Sequence, residues 1–476
     1  MNGYTAWINN HFQEKGERWT EVSDHIWANP ETRFRETSSS EYLIAQLEKA
    51  GFTVDRSVAG METAFVGETG TGGPVLAFLG EFDALPGLSQ RADVAVQEAV
   101  DQDGNGHGCG HHLLGTSALA AAVAMKEYLE ETGQQGTVRY YGCPAEEGGS
   151  GKTFMVREGL FDDVDAAFTW HPASITGVWS FSTLANVQAT FRFKGKSAHA
   201  AAAPHLGRSA LDAVELMNVG VNYLREHIVD DARIHYAITS TGGHSPNVVQ
   251  AEAEVVHLIR APLVNDANEI FDRVRDVAKG AALMTGTSVE VLIDKGCSNY
   301  IPNHALGQKM GDVIQQFGAP PFSEEEKKQA AVFQEALSPQ EIEGERRLLA
   351  PFSFALNEPL STIPIPYTKT DKILPGSTDV GDVSWVTPTV QAVGACFAVG
   401  TPLHTWQLVA QGKSAYAHKG MIHVAKILAG TAIATLEDPE LLLDAQEELR
   451  AFKDGKAYES PIPKEVHVGD IVSRLG

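Results

Sequence analysis

The sequence predicts an α/β protein with a second, α+β unit inserted into the chain. Three observations carry this. Short apolar strands alternate with helix-like stretches as far as His171. The texture changes near Ala185 to half-exposed strands around two helices, and the first pattern resumes near Tyr300. With 476 residues, 43% of them apolar, the chain exceeds one ordinary core.

From Tyr4 to Ala28 the residues Trp7, Phe12, Trp19, Val22 and Ile26 recur on one side of a helix. A second helix runs from Ser38 to Ala50 and stops at Gly51. "VLAFLGEFDAL" is a buried strand followed by a loop. An Ala-rich helix then reaches about Glu131. "TVRYYGCPAEE" is a strand ending in two glutamates, and "AAFTWHPA" is a strand ending in His171. In the inserted unit, "NVQATFRFKG", "HYAITS", "AEVVHLIRA" and "SVEVLI" are strands. Helices from Ser209 to Arg225 and from Asn265 to Met284 lie between them. "FSEEEKKQAAVFQEALSPQEIEGERR" is charged and reads as a solvated helical insertion. "TVQAVGACFAVG" is a late strand before His404, and a long helix runs from His418 to Leu436.

Charge and cysteine usage exclude some classes. A net charge of −24 argues against nucleic acid or an anionic membrane as partner. An acidic substrate would then need a locally basic pocket. Four scattered cysteines are too few for a disulfide scaffold and fit reduced thiols in a cytoplasm. The first residues show no basic start followed by an apolar stretch, and no long uncharged apolar run suggests a membrane helix.

"GHGCGHHLLG", from Gly106 to Gly115, sets one cysteine and three histidines in a glycine-rich loop. Asp83, the pair Glu146–Glu147 and His171 all sit where a strand ends, and His404 follows a fourth. Ligand sites in open α/β sheets gather beyond those ends. Thiolate, imidazole and carboxylate together suit zinc, and a mixed set also holds manganese. Adjacent glutamates suggest a division between metal binding and proton transfer. Each residue alone has a plainer reading: Cys109 as a small buried hydrophobe, the glutamates as solvated surface, the histidines as surface or core. Cys109, His111 and a distant acid also spell a thiol hydrolase. Two residues of spacing in a glycine loop suit shared ligation better. The zinc deaminase signature fails, because no "PCxxC" follows.

Seven stretches resemble one metallopeptidase family, in its order: "GEFDALPGL", "GHGCGHH", "CPAEEGG", "FTWHPA", "GKSAHAAAAPHLGRSALDA", "GSTDVGDVSWV" and "GTPLHTWQ". That family includes the aminoacylases, carboxypeptidase G and the indole-acetyl-amino-acid hydrolases. The likeness is greatest to its aminobenzoyl-glutamate utilisation protein B subfamily. The resemblance implies a catalytic domain over 1–184 and 299–476, with a mixed central sheet flanked by helices and a charged insertion around 318–350. It implies an inserted lid and dimerisation domain over 185–298. It implies two divalent ions, zinc or manganese, on Cys109, His111, Glu147, His171 and His404, with Cys109 bridging. Glu146 is then the general base, and Asp83 orients a ligand. On the lid, His199 reaches the active site of the partner copy, while Asn247 and Arg260 hold the substrate carboxylate. Glu81 stands where many relatives have histidine, and His112 where others have aspartate. Glu81 is therefore left out of the ligand set, and His112 is left without a role. The implied reaction is hydrolysis of an N-acyl- or N-aroyl-amino acid, p-aminobenzoyl-glutamate being the favoured type. A dipeptidase, another acyl-amino-acid hydrolase or one half of a two-subunit hydrolase are the alternatives. The implied assembly is a homodimer through the lid, or a heteromer with a related chain.

Overall fold

A computed structural model describes residues 3–474. The chain forms two compact units, the first from residues 3–181, 301–371 and 383–458 and the second from 182–300, 372–382 and 459–474. In chain order the first unit contributes strands β1 (Thr53–Arg56), β2 (Phe65–Thr71), β3 (Val75–Glu81), β4 (Gly136–Cys143), β5 (Ala166–Ala173) and β6 (Gly177–Val178). The second adds β7 (Ser182–Thr183), β8 (Ala185–Lys194), β9 (Arg233–Ser240), β10 (Glu252–Ala261), β11 (Ser288–Cys297) and β12 (Ile373–Leu374). The last strand, β13 (Thr389–Ala395), returns to the first unit.

The first unit is built on a seven-stranded mixed sheet, ordered β1-β2-β4-β3-β5-β13-β6. β4, β3, β5 and β13 are parallel, so their carboxyl ends share one edge. These strands are apolar runs buried almost throughout, as parallel strands covered on both faces must be. The chain leaves β3 for β4 on one side and for β5 on the other. The sheet's switch point, where α/β proteins place their ligands, is therefore at β3. The His111–Thr132 helix buries nearly its whole length against this sheet and the Ala415–Leu436 helix. Its alanines and Gly115 allow close approach. A Cβ on Gly115 would stand 2.6 Å from the Glu81 carbonyl oxygen, so the first turn of the helix is held beside the end of β3. The helical run expected from Tyr4 to Ala28 breaks at Gly16 into Gly3–Lys15 and Glu17–Ala28.

The charged insertion forms two helices, Glu324–Glu335 and Pro339–Leu348, each opened by a serine capping box. It is not wholly solvated, since Glu326, Ala330 and Phe333 are buried. The apolar residues among its charges are what dock it.

The second unit is a four-stranded antiparallel sheet, ordered β11-β8-β10-β9, with helices Ala210–Leu224 and Val264–Thr285 packed on it. Ser209 caps the first helix, its Oγ accepting from Asp212 N at 3.1 Å. Residues 372–382 and 459–474 also belong here, although the sequence reading set them in the other domain. Long-range contacts bring them in. β12 pairs with β7, and the Arg474 guanidinium donates to the Ile293 carbonyl at 2.7 Å.

Candidate metal centre

The parallel strands deliver their polar residues to one edge. Glu81 closes β3 and Asp83 follows it. Glu146 and Glu147 follow β4, His171 lies near the end of β5, and His404 follows β13. Cys109 and His111 come from the glycine loop ahead of the long helix. Gly110 between them has φ +78°, a left-handed turn that glycine adopts without strain, and its Cα faces Pro172 and Phe397 closely. The loop is fastened by Leu85 and Gly106, which exchange both backbone hydrogen bonds, and by His404 N donating to Gly108 O at 2.7 Å.

Three groups of side chains bring their donor atoms within 4.8 Å of one another. They are Cys109–His111–His171, Cys109–Glu147–His404 and Glu81–His111–Glu146. All five residues named as candidate ligands fall in the first two, and Cys109 is common to both. Cys109 Sγ is 3.2 Å from His171 Nε2, and His404 Nε2 is 3.2 Å from Glu147 Oε1.

Second contacts set which atoms face the centre. His111 Nδ1–H donates to Asp83 Oδ1 at 2.9 Å, leaving Nε2 to point inward. Asp83 Oδ2 accepts from Glu147 N at 3.0 Å, so one buried carboxylate orients two candidate ligands. His171 Nδ1–H donates to the Pro172 carbonyl at 2.8 Å, which leaves Nε2 facing Cys109. His111 Nε2 is buried and makes no hydrogen bond of normal geometry among the described residues. A buried nitrogen acceptor of this kind, beside a thiol, two histidines and carboxylates, fits divalent metal ligation. Non-glycine residues in the left-handed region flank the site: Ala145 at φ +57°, Ser150 at +60° and His404 at +60°. Such strain persists where the surrounding structure holds it.

The electrostatics point the same way. Burial works against a charged His111, but Asp83 and then Cys109 outweigh it and hold its pKa well above the usual range. Burial alone would raise the Glu147 carboxyl, yet the His404 hydrogen bond and His111 bring it down to about 2. Burial, and Glu147 beside it, push the Cys109 thiol well up. An activated thiol nucleophile needs the opposite shift.

Three residues here were not singled out by sequence. Lys152, in the Gly151–Arg157 helix, is fully buried with Nζ 2.7 Å from Glu81 Oε1. A lysine among small and apolar residues just after the glutamate pair was the available signal. Glu36 is buried and accepts from Phe34 N, Ala145 N and Thr63 Oγ1, which braces the turn carrying the glutamates. Glu345 of the insertion accepts from Ser174 Oγ and Gly400 N, just beyond His171 and just before His404. His112 lies away from the three groups, its Nε2–H donating to Gly412 O at 2.9 Å beside the buried His107 ring.

The lid candidates lie in the second unit. His199 is exposed, and its Nδ1 accepts from Ala201 N and Ala202 N at 3.3 and 3.2 Å, so its proton sits on Nε2. Exposed Asn247 is its neighbour across a short bridge, with Ala200 N donating to Asn247 O at 2.9 Å. Arg260 on β10 donates to Pro375 O at 3.1 Å and Ser377 Oγ at 3.3 Å.

The profile of the family described as "Peptidase family M20/M25/M40" matches residues 77–339. The B-type polypeptide of the two-component p-aminobenzoyl-glutamate hydrolase of Escherichia coli (strain K12) is 52% identical over 475 residues, 98% of this chain and 99% of that one. The A-type polypeptide of the same hydrolase and organism is 32% identical over 248 residues, 49% of this chain and 56% of its own. A solved structure from Bacillus subtilis, described as a dinuclear metal binding peptidase from the M20 family, shares the fold with a TM-score of 0.55 at 17% identity, over 89% of this chain and 98% of that one.

Proposed function

The chain belongs to peptidase family M20/M25/M40, and on that premise we propose that it is a dinuclear metal-dependent amidohydrolase. Its substrates are N-acyl- or N-aroyl-amino acids. The relative at 52% identity makes p-aminobenzoyl-glutamate the favoured one. The observation that carries the reading is Cys109 standing in two ligand groups at once.

Cys109, His111 and His171 hold one ion, and Cys109, Glu147 and His404 the other. Sulfur and imidazole favour zinc, and the carboxylate admits manganese. When bound, the two ions polarise the scissile carbonyl and lower the pKa of a water. Glu146 accepts a proton from the attacking water and delivers it to the leaving amine. Asp83 keeps His111 and Glu147 in position for this. His199 of the partner subunit, with its proton on Nε2, donates to the developing oxyanion. Arg260 offers the planar fork that pairs with a carboxylate, and with Asn247 it takes the α-carboxylate of the substrate.

The copies pair through the second unit. β9 is the outer strand of its sheet, exposed along most of its length, with Tyr236 and Ile238 open to solvent. Leu216, Val219 and Tyr223 form an exposed apolar stripe on the Ala210–Leu224 helix. An unpaired strand edge with apolar neighbours is suited to a second copy. We place the protein in the cytoplasm, since its four cysteines are all free and buried. Among the described residues no single helix is long and apolar enough to cross a membrane.

A second reading has one observation in its favour. The two E. coli relatives are named as the paired components of one hydrolase, so this chain would work with a related polypeptide. The test is a panel of acyl- and aroyl-amino acids and dipeptides, given to the purified chain reconstituted with zinc or manganese. Hydrolysis of p-aminobenzoyl-glutamate by the chain alone is the expected result. Activity only after a related polypeptide is added would favour the second reading, and preference for dipeptides would move the substrate class.

A further inference from the structure

Glu81 and Lys152 are buried as a pair, with side chains 3% and 0% exposed and Nζ 2.7 Å from Oε1. The other carboxylate oxygen, Oε2, is 3.2 Å from His111 Nε2. Glu81, His111 and Glu146 form the third group able to hold a cation. His111 has only one nitrogen to give, because Nδ1 is committed to Asp83. Nε2 can therefore serve Cys109 and His171, or Glu81 and Glu146, but not both. An ion in the second place would also tie up Glu146, the proposed base. Two carboxylates and one imidazole make a place that manganese or magnesium would favour over a thiolate site. A fixed ammonium against Glu81 removes that advantage, because it already neutralises the carboxylate and a divalent ion beside it would meet a like charge.

We infer that Lys152 is a positioning residue that closes the oxygen-rich cation place, steering divalent metal to the Cys109-centred groups and keeping Glu146 out of the ligand set. The inference rests on the metal-centre reading above. Its reach is metal selection, which depends on a side chain that touches neither ion nor substrate.

Cobalt(II) is the probe, because a thiolate ligand gives it a sulfur-to-metal charge-transfer band in the near ultraviolet. The parent, Lys152→Met, Lys152→Gln and the double variant Glu81→Gln/Lys152→Met are purified with cobalt present throughout, so that Glu81 is never left uncompensated. Each is compared at one cobalt per chain. Lys152→Gln keeps a hydrogen-bond donor for Glu81 without the charge. The expected result is a band at least about twofold weaker in both single variants, as metal shifts from sulfur to oxygen ligands, and a return to parental intensity in the double variant. Single variants with the parental band would overturn the role given to Lys152. A double variant as weak as the singles would show a packing effect and overturn it as well. A parent with no thiolate band would instead defeat the metal-centre reading itself.

Discussion

At the scale of single residues, the two glutamates after β4 have different surroundings, and this separates their work. Glu147 is tied by its backbone to Asp83 and by its side chain to His404, and its carboxyl is held at about 2. It is a ligand in waiting. Glu146 shares its group with Glu81 and His111, away from Cys109. Glu146→Gln should keep about two ions and lose on the order of a hundredfold or more in rate, as a missing general base does. Glu147→Gln and Cys109→Ala should lose metal before anything else. Metal analysis beside kcat distinguishes these, and the reverse pattern would exchange the two roles. Asp83 touches two ligands without being one. Asp83→Asn should weaken metal binding by roughly ten- to a hundredfold, typical of a lost orienting carboxylate, and a competitive chelator titration reads it directly. An affinity equal to the parent's would mean that the loops hold His111 and Glu147 unaided.

At the scale of elements, the insertion is a brace for two ligand-bearing segments. Glu345 accepts from Ser174 Oγ and from Gly400 N, and Gln334 Nε2 donates to Val399 O at 3.0 Å. Gly400, at φ +95°, packs against Ile342 and Leu337. Glu345→Ala leaves a buried backbone N–H and a hydroxyl without their acceptor, at a cost of about 1–3 kcal/mol. Faster hydrogen exchange over residues 396–404 should follow, together with weaker metal binding. Unchanged exchange there would remove the brace from the account. This docking was not legible in the sequence, where the same stretch reads as a charged, solvated helix pair. The ligands were legible because their signals are local: acids and a histidine at the ends of apolar runs, and a cysteine among glycines. Lys152 and Glu345 gain their meaning only from residues far away in the chain. The same holds for residues 372–382 and 459–474, whose place in the second unit is set by partners such as β7 and Ile293.

At the scale of the whole molecule, acid should unfold the protein through its buried neutral histidines. His107 and His423, in the first unit and outside the ligand groups, are held down to about 4 by burial, as is His257 in the second. Each has a folded pKa below the usual 6.5, so the unfolded chain binds more protons between those values. Stability from these groups is therefore present above about pH 6.5 and is lost as pH falls toward 4. The melting temperature should drop over that window, and His423→Gln should flatten part of the drop. A profile flat from pH 7 to about 4.5 would contradict the assignment.

The central claim is a two-ion centre that shares Cys109, and counting ions against turnover tests it most directly. The chain is stripped with a chelator, verified metal-free and titrated with zinc or manganese while p-aminobenzoyl-glutamate hydrolysis is followed. The account predicts no turnover without metal, uptake of about two ions per chain and activity that rises with them. Full turnover by the metal-free chain, or an acyl group trapped on Cys109, would contradict it.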